Sequence, residues 1–308
     1  MFWYKLNNKK QLTTKKEFAV TNTVSRSSNT ISGSINKYIS YPDDILHNVE
    51  TQLFKIFEDE LFSPNSVVLS YKPEVIRKLA NFMIGEIKRS ASIGIAGETA
   101  SGKSTITLDI IDTIEMFANI YSVKDVITRV NTDDYYYDRS EEVKKAGGMA
   151  EFAKNYDFDV PEALELDLMC KHINELLAGK TVMLPKYDMS GTTIRTDNYT
   201  LAKPSRIIIS EGLFTLTEKI KDAFDFKIYV DIDSDIQRER WFVRANERGL
   251  GESANAIYKN ASDKAEIYIR PCKYDADIVL SGEAQRSGYK LFLHKILLII
   301  ENLYFQNR

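Results

Sequence analysis

The chain has 308 residues, of which 44 % are hydrophobic and 28 % charged, and its formal net charge is −3. This composition excludes a disordered protein, which would carry fewer aliphatic residues and a larger net charge. Two cysteines and three scattered histidines exclude a disulfide framework and disfavour a zinc site. Because no apolar run is long enough to span a bilayer, we expect a cytoplasmic α/β protein without a membrane partner.

Residues 1–40 are basic, with seven lysines and arginines against one acid, Glu17. Such a leader could be a transit peptide, a nucleic-acid-binding arm or a solvated, flexible tail. It has one arginine and no basic helical face, which favours the flexible tail. The rest of the chain has no basic stripe, so we expect no nucleic-acid partner.

Residues 41–90 predict a helical extension. Apolar residues from Ile45 to Leu61 recur at helical spacing, and Ser63-Pro64 ends that pattern. A second predicted helix begins after Pro73, whose fixed φ suits a first turn, and runs through Ile87.

From residue 91 the pattern alternates between short apolar runs and amphipathic segments. The predicted strands are residues 92–97, 126–131, 181–185, 206–210 and 226–232. The predicted helices follow Gly102, Pro161, Gly212 and Asp235, and residues 162–178 form the clearest of them. This alternation predicts an α/β domain over residues 91–300, with a mostly parallel five-stranded sheet flanked by helices. We leave residues 301–308 out of the functional interpretation, because ENLYFQ (301–306) matches a protease site commonly engineered into purification tags.

A phosphate-binding loop follows the first strand of this domain, where the sequence fits G-x-x-x-x-G-K-[ST]. Backbone N–H groups of such a loop surround phosphate oxygens, and the next helix directs its positive end at them. The lysine adds a charge for the outer phosphates, and the serine hydroxyl can enter a Mg²⁺ shell. The predicted nucleotide-binding residues are Gly97, Glu98, Thr99, Ala100, Ser101, Gly102, Lys103, Ser104 and Thr105.

Two adjacent acids, Asp133 and Asp134, follow the second predicted strand of the domain. Residues at the carboxyl end of a parallel strand face the ligand crevice, where a carboxylate can accept a proton from an attacking hydroxyl. Neighbouring side chains of an extended segment point apart, so only one of the two is expected to reach a substrate. The alternative is a loop of solvated acids and packed tyrosines.

Seven motifs then recur in the order known from one family: GETASGKST, TDDYYY, NYDFDVPEALELD, LPKYD, IISEGLF, IYVDIDSD with the following arginines and ERG, and RPCKYDAD. Over about residues 91–282 the chain resembles the uridine kinase/phosphoribulokinase family, and most closely its uridine kinase branch. The resemblance implies a P-loop kinase that uses ATP or GTP with Mg²⁺ to phosphorylate the 5′-hydroxyl of a nucleoside, with uridine or cytidine as first acceptors.

The resemblance also assigns roles to individual residues. Those implied in catalysis are Asp133, Lys103, Arg240 and Arg244. Those implied in binding the substrate are Asp159 (on the ribose hydroxyls), Phe158, Tyr136, Tyr187, Arg238 and Arg248. Ser104 and Glu211 are implied as the Mg²⁺ site. The arginines belong to the family's lid, for which Gly249 and Gly251 could provide the hinge.

Three departures weaken the expectation of uracil or cytosine recognition. Met189 replaces an aromatic residue, Ser190-Gly191-Thr192-Thr193 lacks the family's base-reading histidine, and Gln237 stands where many members carry an arginine. Two alternatives therefore stay open, namely a kinase of another small alcohol and a catalytically silent nucleotide-binding regulator. The expected partner is a small-molecule alcohol or nucleoside, and self-association into a homo-oligomer is left open.

Overall fold

The computed structural model describes residues 42–188 and 194–304. The predicted basic tail, the departures at Met189 and at residues 190–193, and the end of the ENLYFQ segment lie outside these residues.

The described helices and strands alternate along most of the chain. The helices are α1 (Pro42–Leu61), α2 (Glu74–Ile84), α3 (Lys103–Ile120), α4 (Ser140–Ala146), α5 (Met149–Phe152), α6 (Leu166–Leu177), α7 (Ser234–Glu247), α8 (Ala254–Tyr268), α9 (Cys272–Asp275) and α10 (Arg286–Tyr304). The strands are β1 (Val68–Tyr71), β2 (Ala91–Gly97), β3 (Ile127–Asn131), β4 (Val182–Asp188), β5 (Ile194–Ala202), β6 (Ile207–Glu211), β7 (Phe226–Asp231) and β8 (Ile278–Ser281).

The main sheet has six strands in the order β1-β8-β7-β2-β6-β3, and every pairing except the antiparallel one of β1 with β8 is parallel. The predicted α/β class with a mostly parallel sheet is confirmed, but the strand count of five is not. The predicted strand at residues 181–185 belongs to β4, which pairs with β5 in a separate hairpin. The sheet gains β1 and β8 instead, each four residues long and too short to show a period.

The predicted helix after Gly212 is wrong. Its residues form turns that lead into a single 3₁₀ turn, Lys221–Ala223. The hydroxyls of Thr215 and Thr217 donate to the carbonyls of Gly212 (3.3 Å) and Phe214 (2.8 Å). Threonines that bond to nearby carbonyls stabilise such turns in place of a regular helix.

Both predicted helices of the extension are confirmed, although α2 ends before Ile87. Gly85 takes a left-handed conformation (φ 83°) and donates its N–H to the carbonyls of Asn81 and Phe82. Glycine adopts this conformation without steric cost and commonly ends helices in this way.

Apolar residues cover both faces of the sheet. Along β7, Ile228 and Val230 belong to one cluster, whereas Tyr229 belongs to the other, as the two-residue period of a strand requires. The first cluster includes residues of α1, α2, α3 and α10, so the extension and the main sheet share one core. Within it, the Phe57 ring lies 5.0 Å from that of Tyr71 and 5.2 Å from that of Phe292.

The sheet register brings several strand ends to one edge. Glu211, the last residue of β6, pairs with Ile95 of β2 and with Asn131 of β3. The segments that follow β2, β3 and β6 therefore begin side by side at the carboxyl edge, where ligands of open α/β sheets bind. In the part of the chain that is described, no helix is long and apolar enough to cross a membrane.

Removing the Phe57 side chain tests whether the extension stabilises the main domain. Phe57→Ala should lower the free energy of unfolding by about 3–5 kcal/mol, because it leaves a cavity in a shared core. Phe54→Ala on the same helix is the matched control, since Phe54 is 52 % exposed. Urea denaturation followed by circular dichroism measures both losses, and equal losses would contradict the packing of α1.

Candidate active site

The phosphate loop connects the end of β2 to the first turn of α3. A Cβ at Gly97 would lie 2.7 Å from the Val230 carbonyl oxygen, so only glycine fits this close approach. Gly102 has φ 95° at the start of α3, a conformation that side chains other than glycine rarely adopt. The 18-residue helix α3 directs its unpaired N–H groups at the loop. The loop and helix together provide a site for a polyanion.

Lys103, the first residue of α3, lies among the charged side chains of this edge. Burial lowers the pKa of Lys103, whereas the carboxylates of Glu211 and Asp133 oppose the shift and the Arg244 guanidinium adds to it. Three other predicted side chains are therefore close enough for their charges to act on Lys103.

Ser104 and Glu211 are direct neighbours. The Ser104 hydroxyl donates to Oε2 of Glu211 at 3.1 Å, and Nη2 of Arg129 donates to the other oxygen at 2.9 Å. One carboxylate beside one hydroxyl fits Mg²⁺, which binds one or two carboxylates and takes its other ligands from nucleotide phosphates and water. Within residues 42–188 and 194–304, no cluster of three or more His, Cys, Asp or Glu could form an all-protein metal cage.

Sequence reasoning missed Arg129. Its guanidinium forms an ion pair with Glu211, the carboxylate implied as a metal ligand. The two-residue period of a strand could have identified Arg129, because it places residue 129 on the same face of β3 as Asn131, which pairs with Glu211.

Asp133 and Asp134 have different surroundings. Burial raises the pKa of Asp133, and Lys103 acts in the opposite direction. Asp134 accepts hydrogen bonds from Nζ of Lys186 (3.1 Å) and from the backbone N–H of Tyr187 (3.2 Å). Asp134 thus connects the β4–β5 hairpin to the turn after β3. Asp133 instead interacts with the charge of the phosphate-loop lysine, Lys103.

Three of the predicted substrate-binding residues form an aromatic group beside Asp133. The Tyr136 ring lies 6.2 Å from that of Phe158 and 5.4 Å from that of Tyr187. The Tyr136 hydroxyl donates to the Phe158 carbonyl at 3.3 Å. These rings can pack against a planar or apolar part of a ligand.

Asp159 is close enough to Tyr136 for its charge to act on the Tyr136 hydroxyl. Burial, followed by the charges of Asp133 and Asp159, holds the pKa of Tyr136 well above its usual range. Burial also raises the pKa of Asp159, and the neighbouring Asp157 carboxylate adds to that shift. Asp157 itself accepts the Asp159 backbone N–H at 2.9 Å and pairs with Lys264 at 3.0 Å. The charges of Asp133 and Asp159 therefore both act on Tyr136.

The four predicted lid arginines are divided between two places. Arg240 and Arg244 line a cleft of about 530 Å³ together with Lys103 and Ser104. Nη1 of Arg240 donates to the Gly282 carbonyl, after β8, at 2.8 Å. These two arginines can contact a nucleotide held by the loop.

Arg238 and Arg248 are exposed and do not line that cleft. The Arg238 guanidinium lies 5.4 Å from the centre of the Phe242 ring, and Arg248 lies at the end of α7. Gly249 and Gly251, the predicted hinge, both have positive φ (68° and 50°).

Gln237, the departure from the family pattern, is a buried residue of α7. Its Nε2 donates to the Thr99 carbonyl of the phosphate loop at 2.8 Å. The Tyr258 hydroxyl of α8 donates to Oε1 of Gln237 at 3.0 Å. A glutamine at this position therefore links α7 and α8 to the phosphate loop.

A phosphate loop at the carboxyl edge of a parallel sheet, faced by an arginine-bearing helix, defines a P-loop nucleotide-binding protein. The model of the Phosphoribulokinase / Uridine kinase family matches residues 92–286, and the chain belongs to that family.

Curated relatives agree with this membership. The chain is 36 % identical over 202 residues to a uridine kinase of Clostridium tetani, covering 63 % of this chain and 87 % of the relative. It is 33 % identical over 215 residues to a uridine kinase of Staphylococcus aureus, covering 68 % and 97 %. A possible uridine kinase from Bacillus stearothermophilus, known as a structure, is 19 % identical with a TM-score of 0.39, covering 67 % and 98 %. The family model and the two curated relatives support a kinase.

Replacing Lys103 tests the donor site. Lys103→Ala should weaken ATP binding by about tenfold or more and lower kcat by on the order of 10²-fold, because it removes a charge from the outer phosphates. Lys259→Ala is the control, since Lys259 is an exposed lysine on α8. Calorimetric titration with Mg²⁺·ATP measures the affinity, and wild-type affinity in Lys103→Ala would contradict the assignment of the loop.

Proposed function

We propose that the protein transfers the terminal phosphoryl group of ATP or GTP to the 5′-hydroxyl of a nucleoside, with uridine and cytidine as the first acceptors. One observation carries the proposal. Burial raises the pKa of the Asp133 carboxyl, and the charge of Asp133 acts both on Lys103 of the phosphate loop and on Tyr136 of the aromatic group, which also senses the charge of Asp159. The curated relatives named uridine kinases support the choice of acceptor.

The mechanism depends on positioning and charge stabilisation, as in other phosphoryl transfers. The loop N–H groups and Lys103 hold the donor phosphates. Asp133 orients the acceptor hydroxyl and accepts its proton as the new P–O bond forms. Lys103, Arg240 and Arg244 stabilise the negative charge on the transferred group. Ser104 and Glu211 would hold Mg²⁺ together with the nucleotide, and the ion would supply further positive charge to the phosphate oxygens when bound.

In this proposal, Asp159 and the aromatic group hold the acceptor. The Asp159 carboxylate can accept hydrogen bonds from both vicinal hydroxyls of a ribose. Burial raises the pKa of Asp159, and two hydroxyl donors would compensate for the cost of keeping that carboxylate ionised. Phe158, Tyr136 and Tyr187 provide the aromatic wall for the base.

A screen of acceptors separates this function from its rivals. ADP release would be coupled to a panel of nucleosides and sugar alcohols, with a single-turnover assay on labelled ATP beside it. A nucleoside kinase turns over uridine or cytidine, and a kinase of another alcohol turns over only the other compounds. A silent regulator binds ATP and transfers no phosphate to any of them.

Asp133 and Asp134 should differ sharply on substitution. Asp133→Asn should lower kcat by on the order of 10²-fold or more and keep ATP affinity, because the proton acceptor is lost. Asp134→Asn, the matched control, should reduce kcat less and lower Tm, because Asp134 holds the hairpin. The opposite order of kcat losses would contradict the role of Asp133.

The pH profile adds a second check on Asp133. Its raised pKa places the acidic limb of kcat/KM above the usual range of aspartate, so activity falls as the pH drops through that pKa. This limb should be absent from the residual activity of Asp133→Asn.

Asp159 should set the preference for ribose. We expect kcat/KM for uridine to exceed that for deoxyuridine by about 10²-fold or more, because a missing hydroxyl leaves a buried carboxylate unpaired. Asp159→Ala should raise KM and remove most of this difference. The ratio would be measured for uridine, cytidine and adenosine against their deoxy forms in both proteins. Equal values for both sugars in the wild type would refute the assignment of Asp159.

A further inference from the structure

The phosphate loop contains an acidic side chain at its second position, Glu98. A fixed negative charge in a loop that receives a polyanion opposes binding of that anion. The Glu98 side chain is only 14 % exposed, so water and salt screen its charge little. Its effect on the bound nucleotide therefore depends on the groups that face it.

Arg270 faces Glu98 from the segment between α8 and α9. Nε of Arg270 donates to Oε1 of Glu98 at 2.8 Å, and Nη2 donates to Oε2 at 3.2 Å. Two parallel bonds between a guanidinium and a carboxylate form a strong, directional pair. The pair joins residues that lie 172 positions apart in the chain.

The same guanidinium is fixed by α8. Nη1 of Arg270 donates to the carboxylate of Glu266, and Nη2 also lies 3.4 Å from the Ser262 hydroxyl. Glu266 is 68 % exposed, so solvent screens its charge far more than that of Glu98. The carbonyl of the next loop residue, Thr99, accepts from Gln237 of α7, and Gln237 in turn accepts from the hydroxyl of Tyr258 on α8. Glu98 and Thr99 are thus both linked to α8, the first through Arg270 and the second through Gln237 of α7.

We propose that Arg270 is a positioning residue of the donor site, which cancels the charge of Glu98 and fixes the loop so that it accepts a nucleoside triphosphate. The proposal rests on nucleotide binding at the loop and not on the identity of the acceptor. It assigns to the RPCKYDAD segment an electrostatic role toward the phosphates.

Three variants test the pair, namely Arg270→Gln, Glu98→Gln and the double variant with both changes. The measured quantities are the Kd values of Mg²⁺·ATP and Mg²⁺·ADP, titrated by calorimetry without any acceptor. Failure of the proposed nucleoside substrate would leave these constants unaffected, so the two proposals fail independently.

Arg270→Gln should raise the Kd of ATP about tenfold and that of ADP less, because an uncompensated carboxylate repels the larger charge more strongly. The loss should shrink as salt is raised from 0.05 to about 0.5 M. Glu98→Gln should bind ATP at least as tightly as the wild type. The double variant should return the Kd of ATP to within about threefold of the wild type, because neither charge is then left unpaired.

Lys259→Gln is the matched control, because it removes one positive charge from the surface of α8 without touching the loop. Its Kd values should equal those of the wild type. Unchanged ATP affinity in Arg270→Gln would overturn the proposal. Equal, salt-independent losses for ATP and ADP in both single variants would also overturn it, since they would indicate only a mechanical contact. If Arg270→Gln does not fold, Glu98→Gln and the double variant still decide the outcome.

Discussion

A single buried carboxylate, Glu211, holds the functional edge of the molecule together. It ends β6, accepts from Ser104 at the start of α3 and from Arg129 of β3, and interacts with the charge of Lys103. A buried carboxylate without such partners would be costly, so its hydrogen bonds fix where α3 and β3 lie relative to each other. The phosphate loop leads directly into α3, and the turn with Asp133 follows β3 directly. The positions of α3 and β3 therefore determine where the loop and the turn lie.

The features that the sequence predicted well are contiguous in the chain. Residues 97–105 form one loop with a fixed spacing, and the helical periods of α1, α3 and α6 are long enough to be detected. The order of the motifs also placed Ser104, Asp133 and Glu211 at the same edge of a parallel sheet, where the structure has them.

The features that the sequence did not predict depend on contacts between residues that are distant in the chain. The sequence around Glu98 does not predict its partner Arg270, and the sequence around Thr99 does not predict its partner Gln237. Both hydrogen bonds form only when α7 and α8 pack on the loop. The hairpin strand β4 has the same local pattern as a sheet strand, and only its partner β5 reveals the difference. The helix expected after Gly212 failed because threonine hydroxyls satisfied nearby carbonyls.

The position of β1 at the edge of the sheet affects how the chain folds during its synthesis. Val68 of β1 pairs with Leu280 of β8, so β1 is synthesised long before the strand with which it pairs. Until β8 and α10 have emerged, Phe57 and the apolar face of α1 lack the partners that cover them. A nascent chain that stalls before β8 and α10 have been made therefore exposes this face, and exposed apolar surfaces of this kind are aggregation-prone.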